Sequence, residues 1–214
     1  MQDNLYDKRQ SYEGDQLDIS SIDPNPMQQF RTWYYQVEEY GGVTEVNAMA
    51  VSTIGLDGYP KTRMVLLKKY DERGFVFYSN YRSEKGRSID KNQEVCLSFF
   101  WPNLERQVII KGIAKKAPKD ESDHYFASRP RGSQLGALVS EQSQIVGSRK
   151  ELEEELQRLE QHYENKDIPR PEHWGGYLVE PVEFEFWQGR PNRLHDRIRY
   201  RLDGIDWSID RLSP

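Results

Sequence analysis

Residues 48–68 read AMAVSTIGLDGYPKTRMVLLK. Two stretches rich in apolar and β-branched side chains, Ala48 to Ile54 and Thr62 to Lys68, flank Gly55-Leu56-Asp57-Gly58. Extended runs on either side of a Gly- and Asp-rich turn predict a β-hairpin. The pattern continues downstream. Gly74 to Tyr78 forms a third strand after a turn at Asp71 to Arg73, and Val95 to Trp101 with Gln107 to Lys115 make a hairpin around Pro102-Asn103. Strands return at Gly176 to Trp187, Leu194 to Arg201 and Asp206 to Arg211. At least seven strands without βαβ alternation indicate a mainly β, α+β fold: an antiparallel barrel with appended helices.

The helices read from periodicity and end signals. Asp23-Pro24 opens one that carries Met27, Phe30, Tyr34 and Val37 on one face and stops at Gly41-Gly42. Ser83 to Asp90 is a short helix capped by Ser83. Pro118 to Ser128 ends before Arg129-Pro130, because a residue preceding proline avoids helical geometry. Ser148 to Asn165 has Leu152, Leu156, Leu159 and Tyr163 as its apolar seam. Residues 1–22 are polar and read as a flexible arm with little core of its own; residues 23–214 read as a single domain.

Composition narrows the function. The chain has 214 residues, a net charge of -5, 36% hydrophobic and 30% charged residues, and a mean hydropathy of -0.90. Aromatic residues at 12% argue against disorder, and the net charge argues against a globally basic nucleic-acid binder. Cys96 alone cannot form an intrachain disulfide, and a strand cysteine reads as a core residue. MQDNLYDKRQ has no apolar signal core and apolar runs stop at four residues, so a cytoplasmic protein is expected. Dinucleotide fingerprints, P-loops and metal-ligand spacings are missing, and His124, His162, His173 and His195 are scattered. If this is an enzyme, an organic cofactor performs the hard step and no metal is expected.

Three segments place cations beside apolar strands. In Arg63-Met64-Val65-Leu66-Leu67-Lys68, alternation puts Arg63 on one face and Lys68 on the other, which suits two anion sites or a strand with ordinary charged ends. In Tyr125 to Gln134 (YFASRPRGSQ), a helix breaks at proline and restarts with Ser133 able to cap. Free N–H groups with Arg129 and a Tyr hydroxyl suit a phosphate; solvated arginines at a helix corner are the plainer reading. In Trp187 to Arg201, Arg193, His195, Arg197, Arg199 and Arg201 alternate, so one strand face is a cationic ladder that needs anions or carboxylates upon it.

Together these segments resemble the pyridoxamine/pyridoxine 5′-phosphate oxidase family, whose members complete the synthesis of pyridoxal 5′-phosphate. The likeness covers nearly the whole chain: RMVLLK at 63–68, FYSN at 77–80, LERQV at 104–108, YFASRPRGSQLGA at 125–137, VSEQS at 139–143, WGGY at 174–177, EFWQG at 185–189, NRLHDR at 192–197 and DRLSP at 210–214. The resemblance implies an FMN-binding split barrel working as a homodimer, with FMN at the subunit interface. It implies hydride transfer from the substrate 4′ carbon to FMN, and reoxidation by dioxygen to give hydrogen peroxide.

Family contacts to FMN fall on Arg63, Met64, Val65, Leu66, Lys68, Tyr78, Ser79, Lys85, Gln107, Gln142, Ser143, Trp187 and Arg197. Those to the substrate phosphate fall on Lys68, Tyr125, Arg129 and Ser133; Arg193 and His195 correspond to residues against the pyridine ring, and Arg9 and Tyr12 to arm positions that close over it. Arg193, His195 and Arg197 are the expected catalytic set, with Arg197 stabilising negative charge on the reduced flavin. One departure stands out. Glu84 occupies a position where the family usually has an arginine for the FMN phosphate, with Arg82 or Arg87 as substitutes. Rival readings are a non-enzymatic flavin or pyridoxal-phosphate binder on the same barrel, a related flavoprotein with another substrate, and nucleic-acid binding through the ladder.

Overall fold

The computed structural model describes residues 5, 6, 8 and 11–214. Arg9, expected in the arm, lies outside the described residues. The elements run α1 (Pro26–Tyr40), β1 (Ala48–Ile54), β2 (Pro60–Leu66), β3 (Lys69–Asp71), β4 (Gly74–Asn80), α2 (Glu84–Lys91), β5 (Glu94–Trp101) and β6 (Arg106–Lys116). Then follow α3 (Lys119–Ser128), α4 (Arg131–Val139), α5 (Arg149–His162), β7 (Trp174–Gln188), a 3-10 turn (Pro191–Arg193), β8 (Asp196–Asp203) and β9 (Asp206–Leu212). The strands form one sheet in the order β2-β1-β5-β6-β7-β4-β3, with β8 on β7 and β9 on β8.

Besides β6, β7 takes two further partners in turn. Residues 174–179 pair antiparallel with β4, and residues 183–188 pair antiparallel with β8. Pro181 sits where the partner changes; it has no N–H to contribute to a ladder, so the break costs no donor there.

The chain divides into two compact units, one of residues 1–49, 97–111 and 182–214 and the other of residues 50–96 and 112–181. Each of the four crossings falls inside a strand: β1, β5, β6 and β7.

In the first unit, α1 starts at the Asn25 cap, whose side chain accepts the Met27 N–H, rather than at Asp23-Pro24. It buries Met27, Phe30, Trp33 and Val37, while Tyr34 is only half-buried. Phe30 packs on Phe99 at 5.1 Å and Trp33 meets Phe186 edge-on at 5.2 Å. Each such fully buried aromatic contributes about 1.5–3 kcal/mol of burial free energy. The arm joins this core: Leu17 is buried, and its N–H donates to Asp196.

In the second unit, Phe75, Phe77, Tyr177 and Val179 are buried on the paired β4 and β7. Phe126, Leu135, Leu159, Ile168 and Trp174 form a cluster under α3, α4 and α5. The expected α5 seam is present, but Leu159 alone of it is buried. Cys96 is half-buried on the strand face opposite Val95 and Leu97, not a core residue.

Candidate active site

The site in the second unit grows from the end of β2, the end of β4 and the starts of α2 and α4. β2 stops at Leu66, so its alternation does not reach Lys68; Leu67 turns inward and the Lys68 N–H donates to Val76 O. Ser83 caps α2 as expected, accepting the Gly86 N–H. This holds Lys85, in the first turn, in the interior. α4 restarts at once after the proline. Pro130 stands at its cap position, and the Ser133 N–H is spent on Pro130 O, so Ser133 does not cap.

Two pockets open here and share Met64, Lys85 and Gln142. One, of about 500 Å³, is lined by Met64, Val65, Leu66, Lys68, Tyr78, Ser79, Lys85, Tyr125, Arg129, Ser133, Gln142 and Trp174, among others. The other, of about 490 Å³, adds Lys61, Thr62, Arg63, Glu84 and Ser143. Thirteen of the expected site residues therefore line one pocket or both.

Three of the cations here, Lys85, Arg63 and Arg129, have no carboxylate among the described residues bonded to them. Lys85 Nζ, buried, donates to Ser79 Oγ at 2.9 Å, Gln142 Oε1 at 3.1 Å and Ser83 Oγ at 3.5 Å. Burial, and secondarily the Arg63 charge, pushes its pKa down to about 8. Arg63 donates to Thr53 Oγ1 and to the Val51 and Lys61 carbonyls, and burial lowers its pKa as well. Arg129 stacks on the Trp174 ring at 4.4 Å, and its Nη1 is shut from solvent with no hydrogen-bond partner among the described residues. Burial lowers its pKa too. Buried cations without carboxylates are costly unless an anion arrives.

Glu84 lies at the first helical position of α2 and pairs with Lys61, which also pairs with Asp57 at 3.1 Å. Neither Arg82 nor Arg87 lines the pocket of Arg63 and Lys85; both are exposed, and Arg82 lines a third pocket, with Glu141 and His173, that shares Asn80, Ser140 and Gln142 with the first. Sequence reasoning missed Lys61 and Trp174. The tryptophan of WGGY was the one available signal for the stacking platform.

The remaining expected residues belong to the first unit. Gln107 is half-buried on β6. Trp187, on β7, tilts against His195 at 4.7 Å, and Tyr12 meets both rings edge-on at 5.7 and 5.6 Å. Arg193 and His195 are not on a strand. Asn192 and Arg193 take left-handed φ of 58° and 62°, which breaks the alternation before β8 begins. Arg193 is exposed, and His195 Nδ1 accepts the Arg190 N–H at 3.1 Å.

The ladder is thus confined to Arg197, Arg199 and Arg201, and each is answered by carboxylate. Arg197 grips Glu185 with two bonds of 2.8 and 3.1 Å and donates to Ser213 O. Arg199 and Arg201 share Asp210 at 2.8 and 3.3 Å.

Residues 38–163 match the family model described as pyridoxamine 5′-phosphate oxidase. The chain belongs to that family. Residues 174–214 match a pyridoxine 5′-phosphate oxidase C-terminal dimerisation region. A pyridoxine/pyridoxamine 5′-phosphate oxidase of Flavobacterium johnsoniae is 59% identical over 98% of this chain and 99% of its own. One of Christiangramia forsetii is 50% identical over the full length of both. A solved structure of PhzG from Burkholderia lata 383, in complex with tetrahydrophenazine-1-carboxylic acid, aligns with a TM-score of 0.87 at 28% identity, covering 94% of this chain and 100% of that one. The fold is the mainly β split barrel of these relatives with helices appended. Among the described residues, no helix is long and apolar enough to cross a membrane.

Proposed function

We propose that the chain is an FMN-dependent oxidase that converts pyridoxamine and pyridoxine 5′-phosphates to pyridoxal 5′-phosphate, acting as a homodimer with FMN at the subunit boundary. One observation carries the reading: Lys85, buried, and Arg129, half-buried, both line the first pocket with no carboxylate among the described residues bonded to either. Two phosphate monoesters, one on the cofactor and one on the substrate, answer two such sites.

The residues fit that pair. Arg63 and Lys85, with Ser143, would hold the cofactor phosphate; the Met64 to Leu66 stretch, Lys68, Tyr78, Ser79, Gln107, Gln142, Trp187 and Arg197 would hold the rest of FMN. Lys68, Tyr125, Arg129 and Ser133 would hold the substrate phosphate. Arg129 suits this because a guanidinium offers parallel donors to one phosphate. When bound, FMN supplies the two-electron acceptor: the substrate 4′ carbon gives up a hydride, and dioxygen restores the oxidised ring with release of hydrogen peroxide. The chain's own part is chiefly positioning. Arg193 and His195, with Tyr12 of the arm, orient the pyridine ring. In its neutral form His195 carries its proton on Nε2, because Nδ1 accepts a hydrogen bond. Arg197, its charge fixed by Glu185, supplies a positive field for the reduced ring.

The test is spectroscopic. The purified protein is expected to be yellow, to bleach when pyridoxamine 5′-phosphate is added without oxygen, and to regain colour in air with one peroxide per substrate. A colourless protein, or colour that pyridoxamine and pyridoxine phosphates leave unbleached, refutes the assignment.

A further inference from the structure

We propose that Glu105 is a positioning residue, the anchor that seats the arm so that the Tyr12 ring stands against Trp187 and His195. The role rests on the oxidase reading above. Glu105 closes the turn between β5 and β6 with a left-handed φ of 54°, a conformation rare outside glycine. In that conformation its backbone and its side chain face different partners. Its carbonyl accepts the Gly189 N–H at 2.7 Å and Gln188 Nε2 at 3.3 Å. Its carboxylate Oε2 accepts two consecutive arm N–H groups, those of Glu13 and Gly14, both at 2.9 Å. One residue therefore ties the arm to the turn that follows Trp187.

Close packing around this contact is visible in two glycines. A Cβ at Gly14 would stand 2.2 Å from Gln188 Nε2 and 2.9 Å from Gly189 O. A Cβ at Gly189 would stand 2.9 Å from Glu105 Cβ and 3.0 Å from Tyr12 Cγ. Arg190 completes the clasp from the other side: its Nη1 donates to Gly14 O while its backbone N–H holds His195 Nδ1. The arm has no strand ladder here, so a carboxylate bound to two N–H groups is a major part of what fixes residues 12–14. Ionised acceptors make such bonds stronger than neutral ones. Without Glu105, Tyr12 loses its fixed place beside the Trp187 and His195 rings.

The experiment uses the full-length, FMN-loaded protein and pyridoxine 5′-phosphate. Glu105→Ala is expected to raise KM about tenfold while kcat stays within about twofold, and to accelerate hydrogen exchange at the Glu13 and Gly14 amides. Glu105→Gln, which keeps an oxygen acceptor, is expected to restore most of the KM. Adding Glu105→Ala to Tyr12→Ala is expected to change KM no further, since the first acts through the second. An unchanged KM in Glu105→Ala, unchanged exchange, or additive effects in the double variant overturns the positioning role. A wild-type protein that oxidises neither substrate overturns the oxidase reading itself, a result separable from an active wild type with an indifferent Glu105→Ala.

Discussion

Two groups of cations in this molecule look alike in the sequence and differ in chemistry. Arg197, Arg199 and Arg201 on β8 are each held by a carboxylate of the same chain, Glu185 or Asp210. Lys85 is buried and Arg63 and Arg129 are half-buried, and among the described residues they bond to neutral groups, or for Arg129 Nη1 to none. Every member of the first group has a carboxylate bonded to it within the subunit; among the described residues no member of the second has. Density of arginine in a segment is therefore a poor guide to where a ligand binds. The absence of a carboxylate around a buried cation is a better one.

Substitutions sort along this contrast. The largest effect is expected at Lys85, where Lys85→Met should weaken FMN binding by about a hundredfold in a fluorescence titration of the cofactor-free protein. It should not destabilise that protein, because it removes an uncompensated buried charge. If FMN affinity survives, the contrast collapses.

pH gives the next effect. Lys85 sits at about 8 against an ordinary 10.5, so the unfolded chain binds more protons between those values. The cofactor-free protein should gain stability as pH rises through that window. FMN binding needs the protonated form, so affinity should fall above about pH 8, by up to about tenfold per unit. Titrations at pH 7, 8 and 9 check both signs.

Glu84 sharpens the comparison, since it is the one carboxylate bordering the Arg63 and Lys85 pocket. Glu84→Gln should tighten FMN about threefold, the effect being small because the Lys61–Glu84 pair is partly exposed. The smallest change is expected on the completed ladder. Asp210→Asn should lower Tm by no more than a few degrees and leave FMN affinity unaltered. A large loss of affinity there would mean that Arg199 and Arg201 take part in binding.

Much of the fold is legible locally. The hairpin over 48–68, the Ser83 cap and the break at Arg129-Pro130 follow from side chains within a few residues of each feature. The errors arise where distant residues decide. Strand alternation fails at Arg193 because Asn192 and Arg193 turn left-handed, a conformation that asparagine tolerates without dictating and arginine does not announce. The ladder's neutralisation depends on register: Glu185 stands opposite Arg199 and Asp210 opposite Arg199 on the other side, a pairing no spacing rule predicts. On α1, helical spacing admits either Trp33 or Tyr34 on the buried face, and the structure buries Trp33. At the pocket, the resemblance points to the residues, and the three-dimensional structure shows that no carboxylate among the described residues is bonded to Lys85, Arg63 or Arg129, which sequence cannot express.

The chain passes between its two compact units four times, each time in mid-strand. No contiguous fragment consists of one unit alone: the second is spanned by residues 50–181 only together with residues 97–111 of the first. A cut between residues 163 and 174, the gap between the two family matches, would strip residues 174–181 of β7 from the unit that carries the pockets. Proteolytic nicking or truncation should accordingly yield loss of the entire fold rather than a liberated half. Recombination with relatives should succeed when whole chains are exchanged at loop positions and fail when a breakpoint divides a shared strand. The gene, on this view, can be edited at its turns but not partitioned.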